Sequence, residues 1–186
     1  MSKKPMPSIL LWILWFGVTV FGLTGGMEIG ISLMTDYWLR PLYILMGFGI
    51  SGLIIGFGQW LLLRSRISHM WRWIPATAIG LPLGILFGFF GGTLFMSITA
   101  GLFTSTFQWV AIRKKLNGSF RWIMVSTISW GTGMTVALYL FETYLRNADF
   151  LFGNYSKIGL LTGVIVGAIS GCFVESMLIN PGYDYD

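Results

Sequence analysis

Six stretches of this chain are apolar over lengths close to the roughly 20 residues that cross about 30 Å of hydrocarbon as a helix: 9–26, 41–63, 74–90, 93–112, 123–141 and 158–179. They predict an all-α membrane protein with a six-span transmembrane domain over 9–179. Residues 1–8 and 180–186 are left as short tails. The third stretch ends at Gly91-Gly92, an uncharged break that predicts a tight hairpin into the fourth. Lys3 and Lys4 precede the first stretch, but its apolar run is too long for a signal peptide and no A-x-A-like site follows, so it reads as a retained span.

Small and polar positions recur inside these stretches at fixed spacing. The second span reads Gly52-x3-Gly56-x2-Gln59-Trp60-x3-Arg64, and the fourth reads Gly101-x3-Ser105-x2-Gln108-Trp109-x3-Arg113. The sixth continues the register as Gly163-x3-Gly167-x2-Ser170-Gly171-x3-Glu175, with the Gln-Trp pair lost and an acid in place of the arginine. The odd spans carry Trp15-x3-Thr19-x2-Gly22-x3-Gly26, Trp73-x3-Thr77-x2-Gly80-x3-Gly84 and Trp122-x3-Ser126-x2-Ser129-x3-Gly133. The repeating unit is therefore a helical hairpin. An even number of spans per unit keeps successive copies in one orientation, so the expected architecture is six transmembrane helices as three parallel-oriented hairpins around a pseudo-threefold axis. Small residues four apart share a helix face and act as packing seams. Gly52, Gly56 and Gln59 fall within about 60° of arc, so the amide faces the same neighbour as the glycines. Gln59 and Gln108 are accordingly expected to bond between helices, forming a polar axis with Ser170.

Composition narrows the class further. With 55% apolar and 10% charged residues and a mean hydropathy of +0.74, the chain lies far from the roughly 25% charge of soluble domains. Its net charge of +5 does not point to nucleic acid, because the basic residues sit in short clusters beside the spans. Lys3, Lys4, Arg64, Arg66, Arg72, Arg113, Lys114, Lys115 and Arg121 fall on one side of the six-span arrangement, and Arg40, Arg146 and Lys157 on the other. Nine against three predicts that both termini are cytoplasmic. Tyr37, Trp38, Trp71, Trp73, Trp122 and Tyr144 are expected near span ends, as interfacial aromatics. The lone Cys172, in an apolar run, reads as a small packing residue.

The Gly-x3-Gly/Ser-x2-Gln-Trp-x3-Arg element, followed by a basic turn, a tryptophan and a new Thr-x2-Gly span, resembles uncharacterised multi-spanning proteins common in cyanobacteria and some other bacteria. The resemblance covers 15–175 and implies a bacterial inner membrane or a cyanobacterial thylakoid, without an activity. By size and six-span count the chain also looks like the substrate-binding subunit of energy-coupling-factor vitamin transporters. Gly22, Gly26 and Gly30 stand where that group's Ala-x3-Ala docking face would lie.

Ionisable residues within spans are functional candidates because burying them is costly. Glu28, among Gly25, Gly26 and Gly30, reads either as an interfacial carboxylate or as a group that pairs with a cation, carries a proton or ligates a pigment metal. Glu142 closes the fifth span on the same outer side, where Asp36, Arg40, Arg146 and Asp149 either frame a pocket or form a solvated rim. Glu175 occupies the repeat position of Arg64 and Arg113, which predicts a charge cluster at the cytoplasmic end. His69, the single histidine, reads as a loop residue, and nothing supplies partners for a metal site. No catalytic triad, paired carboxylate or Walker sequence appears.

The expected function is a non-catalytic accessory, assembly or scaffold subunit, in contact with the bilayer and with other integral membrane proteins, including a photosynthetic complex if the cyanobacterial resemblance holds. The alternatives are a small-solute or lipid carrier and, more weakly, a pigment or quinone binder. No cofactor is required by the residues; a lipid or pigment is the kind of group they could accept.

Overall fold

In runs as apolar as these, backbone N–H and C=O groups must find partners within their own segment, so helix is the default. The computed structural model describes residues 8–33, 40–67, 70–113, 119–145 and 154–179. It contains α1 (Ser8–Ser32), α2 (Arg40–Leu63), α3 (Trp73–Gly88), α4 (Gly92–Ile112), α5 (Phe120–Leu140) and α6 (Asn154–Ile179). Among the described residues no strand occurs. Five stretches are long and apolar enough to cross a membrane: Ile9–Gly30, Pro41–Leu63, Met70–Ile112, Phe120–Leu145 and Tyr155–Val174. That is the pattern of a multi-pass helical membrane protein.

The third stretch is not one rod. A 3-10 turn at Phe89–Gly91 and Gly92, at φ 80°, reverse the chain between α3 and α4. This left-handed φ penalises a Cβ, so the break falls where a glycine pair permits it. Elsewhere the helices outrun the expected ends. α1 continues past Gly26 to Ser32, and α6 starts at Asn154 rather than at 158. α5 passes into a π-helical turn, Phe141–Leu145.

Each helix packs against its neighbours in sequence, and α1 closes against α6, so the six form a ring. Glycines let the backbones approach. Within α1–α2, Gly22, Gly26 and Gly30 face Ile55, Ser51 and Gly47; within α3–α4, Gly80, Gly84 and Gly88 face Thr104, Ala100 and Met96; within α5–α6, Gly133 faces Val166 and Thr162. Both members of each pair thus run antiparallel or nest at a level set by small residues. Between pairs, Gly52 and Gly56 meet Thr77 and Ile74, Gly101 meets Ser126 and Thr127, and Gly163 and Gly167 meet Val20 and Phe16. Counted from Trp15, Trp73 and Trp122, the contacted positions in α1, α3 and α5 are in register.

Two apolar clusters fill the ring. One, at the end where α1, α3 and α5 begin, is built on Leu11, Trp15, Leu63, Trp73, Ile112 and Trp122. The other lies deeper and includes Leu23, Ile55, Leu81, Ala100, Met134 and Val166. The outer face carries exposed Phe21, Phe87 and Phe90.

A methyl at Gly84 would stand 2.6 Å from the Ala100 Cα, which forces α3 and α4 apart. Gly84→Ala is therefore expected to lower stability in detergent by about 1–3 kcal/mol. Gly25→Ala, with nothing within 4 Å of the added carbon, should leave it unchanged. Thermal melting of both variants checks the contrast, and equal losses would contradict the seams.

Candidate functional site

Trp15, Thr19, Gly22 and Gly26 follow one another at intervals of four, three and four, which places them on one face of α1. Because the glycines face α2, that face points inward, and so does the tryptophan. The same spacing acts on α3 and α5. As a result Trp15, Trp73 and Trp122 meet inside the ring at 0%, 1% and 2% exposure. Trp15 lies edge-on to Trp122, with centroids 5.9 Å apart and planes at 89°. It stands 6.4 Å from Trp73 at 65°, and Trp73 and Trp122 are 5.5 Å apart at 50°. Phe173 stacks on Trp122 at 6.4 Å. Aromatic pairs of this kind contribute about 0.5–1.5 kcal/mol each beyond burial.

An indole N–H only donates, and buried it needs an acceptor. All three are supplied from the next helix round the ring. Trp73 Nε1 donates to Gln59 Oε1 at 2.8 Å, Trp122 Nε1 to Gln108 Oε1 at 2.8 Å, and Trp15 Nε1 to Ser170 Oγ at 3.0 Å. The indole fixes the orientation of each amide, since only the oxygen can face it. The Gln108 Nε2 then donates to Thr77 Oγ1 at 2.8 Å, and the Thr77 hydroxyl in turn donates to the Trp73 carbonyl at 2.9 Å. Ser170 donates to the Val166 carbonyl at 2.6 Å. Ser105 bonds back to Gly101 at 2.6 Å and reaches the Ile123 carbonyl of α5 at 3.5 Å. Gln59, Gln108, Ser105 and Ser170 are all buried. Gln59, Gln108 and Ser170 thus hold acceptor positions for the three indoles, and Ser105 sits on the α4–α5 seam.

The placement of Trp73 and Trp122 corrects the expectation of interfacial aromatics. Trp71 and Tyr144 are exposed, whereas Trp73 and Trp122, in the first turns of α3 and α5, turn to the centre; Tyr37 and Trp38 lie outside the described residues. Their fixed register with the glycine stripe was the available signal. Cys172 is exposed rather than packed inside.

Arg64 and Arg113 sit on the surface. The Arg64 guanidinium lies 5.3 Å from the Trp60 ring centroid and that of Arg113 5.5 Å from the Trp109 ring centroid, each over its own helix. Both residues are exposed. The side chain of Glu175, their expected partner, lies outside the described residues, as does His69.

At the opposite end, Glu28 is exposed on the last turns of α1 and accepts a hydrogen bond from the Ser156 hydroxyl of α6. The neighbouring Lys157 is only 6% exposed, a position the sequence reading did not single out. Its Nζ donates to the Leu145 carbonyl at 3.3 Å, at the end of the π-helical turn. Glu142 is exposed on that same turn. These contacts tie α1, α6 and the end of α5 together. Asp36, Arg146, Asp149 and the side chain of Arg40 lie outside the described residues.

Among the described residues no three of His, Cys, Asp and Glu converge. The chemistry concentrated here is hydrogen bonding and aromatic packing. No protein-family model, curated protein or solved structure matches the chain.

Gln108→Leu would leave the Trp122 N–H without an acceptor, at a cost of about 1–3 kcal/mol. Adding Trp122→Phe should recover part of that loss, because the orphaned donor goes with the indole. Melting curves of the two single variants and the double variant check the coupling; strict additivity would contradict the bond.

Proposed function

We propose that this chain is a non-catalytic scaffold or accessory subunit embedded in a membrane. Its six helices are six spans, paired as three parallel hairpins about a pseudo-threefold axis. Both termini lie in the cytoplasm of a bacterial inner membrane or a cyanobacterial thylakoid. The nine-to-three distribution of basic residues supports that orientation. The threefold reading draws support from the three indole bonds and the three inter-pair seams, each at equivalent repeat positions.

One observation carries the functional reading: the polar groups on the axis already have partners in one another. A carrier that used Gln59, Gln108 and Ser170 to hold a solute would present them to a cavity, whereas here Trp73, Trp122 and Trp15 engage them. Breaking those bonds to admit a ligand would strand three buried donors. An interior built for rigidity leaves the outer face as the working surface. Exposed Phe21, Phe87 and Phe90 furnish it with large apolar groups suited to lipid and to partner helices.

Purification from source membranes in a mild detergent should recover the chain in a stoichiometric particle with other integral membrane proteins. Recovery as a small species that binds a solute, and loses it on joint Gln59→Leu and Gln108→Leu substitution, would replace this reading with the carrier.

A further inference from the structure

The outer surface of α1 and α2 is not uniformly filled. A groove of about 800 Å³ runs between them, with Gly17, Val18 and Phe21 on one wall, Phe57 and Gly58 on the other, and Ile74 of α3 at its edge. Its volume lies within the roughly 300–1,000 Å³ of small-molecule sites. It exists because of two residues. At the positions equivalent to Gly17, counted two beyond Trp15, the other odd helices carry Pro75 and Met124. At the positions equivalent to Gly58, just before Gln59, the even helices carry Phe107 and Ile169. Two side chains that the other pairs place on this surface are therefore missing from it. Gly58 also meets Val18, so it lets the helices close. Gly17 has nothing within 4 Å of a built Cβ, so its missing side chain serves no packing contact.

Charge at one end identifies the occupant. Arg64 follows Phe57 by seven residues, two turns along the same face of α2. The α1–α2 register, with Gly22 on Ile55 and Gly26 on Ser51, sets Ile13 level with Arg64 when extended. Arg72 lies two residues ahead of Ile74. Both arginines are exposed, and each guanidinium rests over a neighbouring indole, Trp60 and Trp71. The groove's own lining is apolar, and both arginines stand at the end of the ring toward which Ile13 and Leu14 extend it; such a trough beside exposed cations matches a chain with an anionic head.

We propose that the α1–α2 groove binds an anionic phospholipid, with an acyl chain over Gly17 and the phosphate against Arg64 and Arg72. The site is independent of the scaffold reading, since it lies on the outside of the ring. Gly17→Leu sends a side chain into the trough from a Cβ that meets nothing within 4 Å, and Gly49→Leu, equally open around its Cβ, controls for the added side chain.

The test is native mass spectrometry of the full chain after exchange into nanodiscs of phosphatidylglycerol or phosphatidylcholine and release into detergent. Wild type and Gly49→Leu should retain one phosphatidylglycerol, and Gly17→Leu should lose it. Arg64→Gln with Arg72→Gln should reduce its preference over phosphatidylcholine, about fivefold per arginine. Melting of the unmodified protein gives a second readout, with a higher midpoint in phosphatidylglycerol than in phosphatidylcholine. Equal retention of both lipids by wild type, retention unchanged by Gly17→Leu, or a protein chain seated on this face in place of lipid would each overturn the proposal.

Discussion

Everything at the centre of this bundle depends on an indole N–H having nowhere to go but an acceptor on the adjacent helix. Between membrane helices the hydrophobic effect has little to distinguish protein from lipid, so specificity must come from close packing and hydrogen bonds. Trp15, Trp73 and Trp122 supply both. Their rings fill the axis at one end, and their donors lock α1 to α6, α3 to α2 and α5 to α4. Removing an acceptor harms more than one contact, because Gln108 also holds Thr77, which in turn bonds the Trp73 carbonyl. The network therefore couples three helices through one amide.

The glycine seams make that network reachable. Side-chain hydrogen bonds need helices at short separation, and Gly52, Gly56, Gly101, Gly163 and Gly167 bring the backbones of neighbouring pairs together one or two turns from the bonded residues. Several buried hydroxyls satisfy themselves locally: Thr19, Thr77, Thr104 and Ser129 donate to carbonyls four residues back, which removes a polar cost that lipid could not relieve, whereas those of Thr127, Thr135 and Thr162 are buried with no partner.

Much of the helical layout could be read from hydropathy, since the apolar runs leave the backbone no other arrangement. The reversal at Gly91-Gly92 was legible for the same reason: an uncharged glycine pair is a sufficient break where no loop intervenes. Helix ends were less legible. Gly26 resembles a terminator in isolation, but its lack of a side chain is needed against Ser51, and α1 runs on. An expectation that Gln59 and Gln108 bond between helices was legible from spacing. The partners of the amides were not, because Trp73 and Trp122 lie near span ends, where tryptophan commonly faces the headgroups. The burial of Lys157 was not legible because it depends on the return of α6 beside the π-helical turn, which no local pattern announces.

The central claim is that three of the nine tryptophans form a sealed, bonded core. Hydrogen–deuterium exchange of the indole N–H signals, followed by nuclear magnetic resonance on selectively labelled protein in detergent, tests it most directly. The N–H protons of Trp15, Trp73 and Trp122 should persist long after that of exposed Trp71 has exchanged. Exchange of all three as fast as Trp71 would contradict the account.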